Sequence, residues 1–248
     1  MSNSNLKSPS LLFGRDVRAL SRHTWQERFV LLFIGAIFYF SGTPLAHAQF
    51  YTGALGGVAT LAGDANSTLA SSGSNFSSYN ARNGFALELI AGRHISDYFS
   101  VQANYIWNRN PLILASGVFN GGTQEGYKEL RSSSQQSAIG DVLIYFRKRD
   151  SRLRPYLSLG TGFVHFSTQH EHLSQVVGSP FLPPQSFHAD QIALHVPVGI
   201  DARLRGGWAF RYTFSETISK NPIRDHLSPP PRNSLKNFQS LFGIVKQF

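Results

Sequence analysis

The chain contains no cysteine among its 248 residues. A disulfide framework is therefore excluded. After residue 48, no apolar stretch approaches the ~20 residues that a helix needs to cross a bilayer. The sequence also lacks zinc-protease, Walker and Rossmann signatures. These absences leave two classes for this part of the chain: a soluble protein, or a β-barrel.

The N-terminal stretch has the composition of a targeting segment. Residues 1–28 are polar and basic, and an apolar run (FVLLFIGAIFYF) follows over 29–40. The pattern Ala46-His47-Ala48 is a small-x-small site that signal peptidase can cut, leaving Gln49 as the new N-terminus. The apolar run has about a dozen residues, fewer than the ~20 of a spanning helix, so an uncleaved anchor is the weaker alternative. We predict that 1–48 is a signal peptide.

Period-two alternation recurs along the rest of the chain. In 189–203, for example, Ile192, Leu194, Val196, Val198 and Ile200 share one face, and residues 98–108 and 206–217 repeat the pattern. Side chains alternate across a strand, so each segment has one apolar face and one polar or small face. We predict eight strands, most of them ten residues or longer, which is the length of a tilted membrane-spanning strand. Their predicted ranges are 52–63, 83–93, 98–109, 135–147, 153–166, 189–202, 206–217 and 237–248.

The connections between these predicted strands alternate between short and long. Tight turns fall at 94–97, 148–152 and 203–205, and long polar segments fall at 64–82, 110–134, 167–188 and 218–236. Short turns on one rim and long loops on the other are typical of outer-membrane barrels, whereas a soluble β-sandwich has no reason to sort its loops in this way. We therefore predict an all-β, eight-stranded antiparallel up-and-down transmembrane β-barrel over 49–248.

Two of the predicted long loops differ in composition. The segment 64–82 is rich in serine, asparagine, glycine and alanine, and we predict that it is mobile. The segment 218–236 contains Pro222 and the run 229–231 of three prolines, which restrict the backbone. A stiff loop above a barrel is a natural place for a binding surface.

Charged residues fall on the inward face at the centres of the predicted strands. They are Glu88, Asp141, Asp201 and Arg211. An isolated buried ion is prohibitively costly, so we predict that Arg211 pairs with at least one of the three carboxylates. His195 and polar amides would complete this barrel-interior charge network. With about eight strands the lumen is filled by side chains, so the network would act as a plug.

The last strand and its final residue carry a family resemblance. The chain ends in FQSLFGIVKQF, with Phe248 at the C-terminus. A C-terminal aromatic residue resembles the signal by which the barrel assembly machinery recognises outer-membrane barrels. Together with the signal peptide and the eight-strand layout, residues 49–248 resemble the small outer-membrane β-barrel domain family, which includes the membrane domain of outer membrane protein A. The resemblance implies a bilayer-embedded protein of the bacterial outer membrane, in contact with lipopolysaccharide and phospholipid.

No catalytic, cofactor or metal site emerges from the sequence. We predict a non-enzymatic barrel with a structural, surface-interaction or membrane-stabilising role through its extracellular loops. One alternative is an acyl hydrolase that resembles the lipid A deacylase barrels, because His165 and Ser167 form a His-x-Ser pair with Glu171 nearby. A narrow pore is another. The chain is basic, with a formal net charge of +9, but an exported protein rarely meets nucleic acid. The basic residues of the short turns fit contacts with anionic headgroups or simple solvation.

Overall fold

A computed structural model of the chain describes residues 50–70, 73–120, 123–177 and 183–248. The predicted signal peptide 1–48 and Gln49 lie outside these residues. The described part contains one short 3-10 helix, Arg224–His226, and ten strands. No helix in the described ranges is both long and apolar enough to span a membrane. The strands are β1 (Phe50–Leu61), β2 (Asp64–Ala70), β3 (Gly73–Ala81), β4 (Gly84–His94), β5 (Phe99–Asn120), β6 (Thr123–Tyr145), β7 (Leu153–Val177), β8 (His188–Arg203), β9 (Trp208–Lys220) and β10 (Ser234–Gln247).

Eight of these strands close into a ring. Neighbours in the ring follow the order β5-β4-β1-β10-β9-β8-β7-β6, and β6 pairs again with β5. Every pairing is antiparallel, and the first and last strands meet with Tyr51 opposite Gln247. A closed sheet leaves no unpaired edge within the ring. The predicted eight-stranded antiparallel barrel is confirmed.

The two remaining strands correct the predicted loops. β2 continues β1 after Ala62 and Gly63, and β3 leads into β4 through Arg82 and Asn83. β3 pairs with the distal half of β5, and β5 pairs with β6 as far as Asn120 opposite Thr123. The predictions of loops at 64–82 and 110–134 were therefore wrong, because both segments are hairpins that prolong the barrel wall; the predicted mobility of 64–82 stays a prediction. In the same way, β7 extends through the first half of the predicted loop 167–188, as far as Val177.

The outer face of the ring is apolar over about ten residues of each strand. In β9, Trp208, Phe210, Tyr212 and Phe214 point outward and are exposed, while the alternate residues are buried. This pattern is the one that the alternation in the sequence predicts. Above the belt the outward residues become mostly polar, although β5 keeps apolar ones as far as Phe119. The belt consists of outward residues within 50–58, 85–91, 99–107, 138–146, 153–163, 192–200, 208–214 and 238–244.

The two ends of the barrel differ in their connections. Short turns lie at 95–98, 146–152 and 204–207, on the same rim as Phe50 and Phe248. We call this end the short-turn rim. The turn at 204–207 contains Gly206 and Gly207 at φ +68° and +75°, a conformation that glycine adopts without steric cost. The opposite end, which carries the hairpins β2–β3 and β5–β6, the top of β7 and the loop 221–233, is called the hairpin end.

Candidate functional site

An ion pair between neighbouring strands lies in the lumen near the short-turn rim. Asp201 and Arg211 stand directly opposite each other on β8 and β9. Arg211 donates from Nε to Oδ1 of Asp201 at 2.6 Å and from Nη2 to Oδ2 at 2.7 Å. Both side chains are almost completely buried. The two parallel hydrogen bonds are the geometry in which arginine and carboxylate interact most strongly.

Polar and aromatic side chains surround this pair. Arg211 also donates to Gln102 at 2.6 Å and to the Tyr145 hydroxyl at 3.0 Å. The Tyr145 hydroxyl lies 3.2 Å from Oδ2 of Asp201, and Tyr51 donates to Gln102. The rings of Tyr51 and Tyr156 lie 5.4 Å and 5.0 Å from the guanidinium carbon. The buried cation is therefore neutralised, hydrogen-bonded and enclosed, as burial requires.

A second buried pair lies one layer higher. Asp141 on β6 contacts Nδ1 of His195 on β8 at 2.9 Å, although β7 lies between the two strands. The β7 residue between them is Gly160, which is opposite Asp141 on one side and opposite His195 on the other. A Cβ at position 160 would overlap the Asp141 carboxylate. The missing side chain is thus what lets the carboxylate reach the imidazole. Asn104 also donates to Asp141, at 2.8 Å.

Amide side chains fill the lumen above this layer. Asn237 donates to Gln135 at 2.9 Å, and Asn110 donates to the carbonyl oxygen of Ala59 at 2.8 Å. Ser215 donates to Gln239 at 2.7 Å. All of these side chains are buried. One side of the lumen is apolar instead, and it is formed by Tyr51, Leu55, Ala59, Ala86, Ile90, Leu241 and Val245.

The five residues of the predicted interior network all lie in the lumen, but in separate groups. Arg211 is with Asp201, and His195 is with Asp141. Glu88 is buried on β4, and it takes part in neither pair. Sequence reasoning missed the tyrosines around the arginine, because an aromatic residue at a strand end resembles a lipid-facing one. The buried amide side chains were indicated in the sequence by the polar face that contains Ser100, Gln102 and Asn104.

The hairpin end has a hydrophobic core of its own. Residues of the barrel wall, among them Leu61, Tyr79, Leu112 and Leu114, pack with Ile223 and Leu227 of the loop 221–233. Ile223 is completely buried. The loop therefore folds into the mouth of the barrel and closes it with apolar side chains. The remaining buried members of this cap core are Tyr127, Phe166 and Leu235.

Hydrogen bonds attach the loop 221–233 to both hairpins. Ser77 on β3 donates to the carbonyl oxygen of Pro229, and Ser116 on β5 donates to that of Ser228 at 2.8 Å. Asp64, at the start of β2, accepts from the backbone N–H of Arg232 at 2.7 Å and from its guanidinium at 3.1 Å. The prolines were predicted to stiffen this loop. Hydrogen bonds at three points also hold it against the hairpins.

A third buried ion pair attaches the segment 183–187. Arg131 on β6 lies 2.9 Å from Glu129, and both side chains are fully buried. Arg131 also donates to the carbonyl oxygens of Pro184 and Gln185, while His170 contacts the other oxygen of Glu129. This pair could not be singled out from the sequence, because Glu129 and Arg131 fell in a predicted loop.

Two ionisable groups at the hairpin end have shifted pKa values. Burial alone would raise the pKa of Asp64, but hydrogen bonds from Arg232 and Asn66 outweigh it and hold the pKa below its ordinary value. Burial lowers the pKa of His226, and the charge of Arg131 acts in the same direction. The His226 ring stacks on Phe187 with 3.9 Å between the ring centroids.

The His-x-Ser pair lies on the outer face, just above the apolar belt. Nδ1 of His165 lies 2.7 Å from Oδ1 of Asp190 on the neighbouring strand. Glu171, the acid that follows the pair in the sequence, pairs with Arg109 at 3.8 Å instead. Ser167 follows on the same face of β7, and the described hydrogen bonds do not join it to His165.

The closed ring has an apolar belt on its outer face, short turns at one end and long hairpins at the other. These features define a transmembrane β-barrel. Among solved structures, OprG of Pseudomonas aeruginosa is 15% identical with a TM-score of 0.50, covering 81% of this chain and 96% of OprG. Neisserial surface protein A is 13% identical with a TM-score of 0.45, covering 82% and 99%. Ail of Yersinia pestis is 11% identical with a TM-score of 0.40, covering 80% and 98%.

The likeness to OprG shows that the chain has the fold of the small outer-membrane β-barrel proteins. No protein-family model matches the chain. No curated protein matches it either.

Proposed function

We propose that this protein is a non-enzymatic barrel of the bacterial outer membrane that makes contacts at the cell surface through its hairpin end. The observation that carries the proposal is the separate core of that end, in which Ile223 and Leu227 pack against the wall above the belt. A loop that served only to connect strands would not need a buried core. The segment 1–48 would direct export, and the short-turn rim would face the periplasm.

The shape of the hairpin end supports a contact role. Beyond the apolar belt, β5 continues for about a dozen residues to Asn120, which corresponds to roughly 40 Å along the strand. Exposed apolar side chains lie on these hairpins. Leu69 is 91% exposed, and Phe119 is 48% exposed beside Phe76. Apolar side chains displayed on a rigid support are typical of protein contact surfaces.

The membrane part would have lipopolysaccharide and phospholipid as its partners. Assembly would use the barrel assembly machinery through the last strand. Phe248 follows β10 directly, its N–H donates to the carbonyl oxygen of Phe50 at 2.9 Å, and its side chain is 70% exposed. An exposed terminal aromatic residue on the strand that closes the ring is accessible to an assembly factor.

A variant that keeps the barrel but removes the exposed apolar groups tests the surface role. A deletion strain would be complemented with wild type, with Leu69→Ser/Phe119→Ser, or with Leu204→Ser, which removes an exposed leucine from the opposite rim. We expect wild type and Leu204→Ser to restore attachment of cells to one another or to protein-coated surfaces, and the double variant not to. Uptake of a hydrophobic dye would report membrane integrity separately. Attachment that the double variant restores fully would contradict a contact role.

A narrow pore has less support, because buried side chains fill the lumen from Tyr145 up to Ile223. Recordings of the purified protein in a planar bilayer would test this alternative. Discrete conductance steps, absent from a preparation without the protein, would favour a pore.

An outer-membrane acyl hydrolase is a second candidate, favoured by the His165–Asp190 contact beside Ser167. An imidazole oriented by a carboxylate is the arrangement that activates a serine. The test is the mass spectrum of lipid A from strains that express wild type or Ser167→Ala. Loss of an acyl chain with wild type but not with the variant would establish the hydrolase and overturn the non-enzymatic proposal.

A further inference from the structure

The short-turn rim is strongly basic. Its turns and adjoining strand ends carry two acidic side chains, Asp97 and Asp150. They also carry eight basic ones that solvent reaches: Arg93, Arg147, Lys148, Arg149, Arg152, Arg203, Arg205 and Lys246. The positive charges in such an excess repel one another unless an external anion is present.

These cations have no carboxylate partner within the part of the chain that the structure describes. All ion pairs found there lie in the lumen, on the outer face above the belt or at the hairpin end. At the short-turn rim, cations contact neutral groups instead. Arg203 lies 3.5 Å from the carbonyl oxygen of Asp150, and Lys246 lies 2.7 Å from that of Gly206. These contacts position the charges and leave them uncompensated.

Apolar side chains are exposed between the cations. Leu204 lies between Arg203 and Arg205 and is 51% exposed, while Phe146 and Ile95 are 64% and 66% exposed. Trp208 is exposed on the outer face beside Lys246, whose Nζ lies 5.1 Å from the ring centroid. Exposed apolar and aromatic groups next to cations match the interface between acyl chains and headgroups. A water-soluble polyanion would make no favourable contact with these apolar side chains.

We propose that the short-turn rim binds the phosphate groups of anionic phospholipids in the adjacent leaflet. The inference rests on the proposed function in one respect, since it names the groups that make the phospholipid contact proposed there, and it does not depend on the surface role. Two of these turns carry exposed cations at the edge of the belt, at the level of the headgroups: Arg147 and Lys148 on one turn, Arg203 and Arg205 on the other. A cation close to an anionic membrane surface strengthens association by roughly fivefold.

Two tryptophans provide a reporter at each rim. Trp208 lies at the short-turn rim and Trp107 at the other edge of the belt, and the third tryptophan, Trp25, precedes the barrel. The full chain, purified from bacterial membranes with Trp25→Phe, would carry Trp107→Phe or Trp208→Phe. It would be reconstituted in phosphatidylcholine vesicles that contain brominated phosphatidylglycerol or brominated phosphatidylcholine. Bromine quenches a nearby indole, so the ratio of the two quenching curves measures lipid selectivity at each rim.

We expect Trp208 to be quenched at about fivefold lower mole fraction of phosphatidylglycerol than of phosphatidylcholine, and Trp107 to show a ratio close to one. Arg203→Gln/Arg205→Gln should reduce the ratio at Trp208 towards one. The matched control, Arg82→Gln/Lys220→Gln, removes the same charge from the hairpin end and should leave it unchanged. Equal quenching by both lipids at Trp208, or equal selectivity at the two tryptophans, would overturn the proposal. So would a selectivity that survives Arg203→Gln/Arg205→Gln.

Discussion

Arg211 and Asp201 stand opposite each other on neighbouring strands and share two hydrogen bonds inside the barrel. Ten residues separate them along the chain, and the turn at 204–207 sets the register that brings them together. A register shifted by one residue would point one of the two charges at lipid. The pair therefore depends on the register that this turn sets between β8 and β9.

Removing one partner of this pair should destabilise the barrel strongly. Asp201→Ala leaves the Arg211 charge buried, and breaking a buried pair in this way costs about 3–5 kcal/mol. The free energy of unfolding, from urea titration of the protein in lipid vesicles, measures the loss. As a control, Lys236→Gln breaks the partly exposed contact with Glu216, 2.9 Å long, and should cost less than about 1 kcal/mol. Equal effects of the two substitutions would show that the buried pair has no special role.

A methyl group at position 160 should disturb the second buried pair. In Gly160→Ala the new Cβ would occupy the space of the Asp141 carboxylate and push it away from His195. Overpacking of this kind costs about 1–3 kcal/mol. A Cβ at Gly140, on the neighbouring strand, would meet no atom within 4 Å, so Gly140→Ala should change stability by less than about 0.5 kcal/mol. The same urea titration compares the two variants, and indistinguishable midpoints would contradict this role of Gly160.

The barrel ring could be predicted from the sequence because lipid on one side and a filled lumen on the other enforce alternation. Trp208, Phe210, Tyr212 and Phe214 contrast sharply with Arg211 and its inward neighbours. The same contrast between the two faces made the charged residues of the interior predictable from the sequence. Which carboxylate each cation meets depends on register and on Gly160, and no local pattern specifies either.

The hairpin end was missed because its outer face meets water. Above the belt, outward positions no longer need apolar residues, so the contrast between the faces fades. In β3, the buried residues Ser77 and Tyr79 alternate with serine and asparagine, a composition typical of loops. Only the contact with the loop 221–233, distant in sequence, makes these positions interior.

Acid should weaken the attachment of the loop 221–233. The folded-state pKa of Asp64 lies below its ordinary value, so the unfolded chain binds a proton more readily. Its contribution to stability is present above the ordinary aspartate pKa of about 3.9 and is lost as pH falls through the lower, folded-state pKa. We expect the stability difference between wild type and Asp64→Asn to shrink between about pH 5 and the acid limit, about pH 2. A difference that stays constant down to that limit would contradict the pairing with Arg232.

The cap core should hold the loop closed. Ile223→Ala removes a completely buried side chain from this core, and such truncations cost about 2–5 kcal/mol. Because the contacts of the loop are confined to the hairpin end, we expect the cost to appear as local opening, with the ring still folded. Trypsin cleavage after Arg224 or Arg232 in the otherwise intact protein measures this opening and should accelerate by at least about tenfold. Leu69→Ala shortens a 91% exposed side chain at the same end and should leave the rate unchanged. An unchanged rate in Ile223→Ala would mean that the hydrogen bonds from Ser77, Ser116 and Asp64 suffice to keep the mouth of the barrel closed.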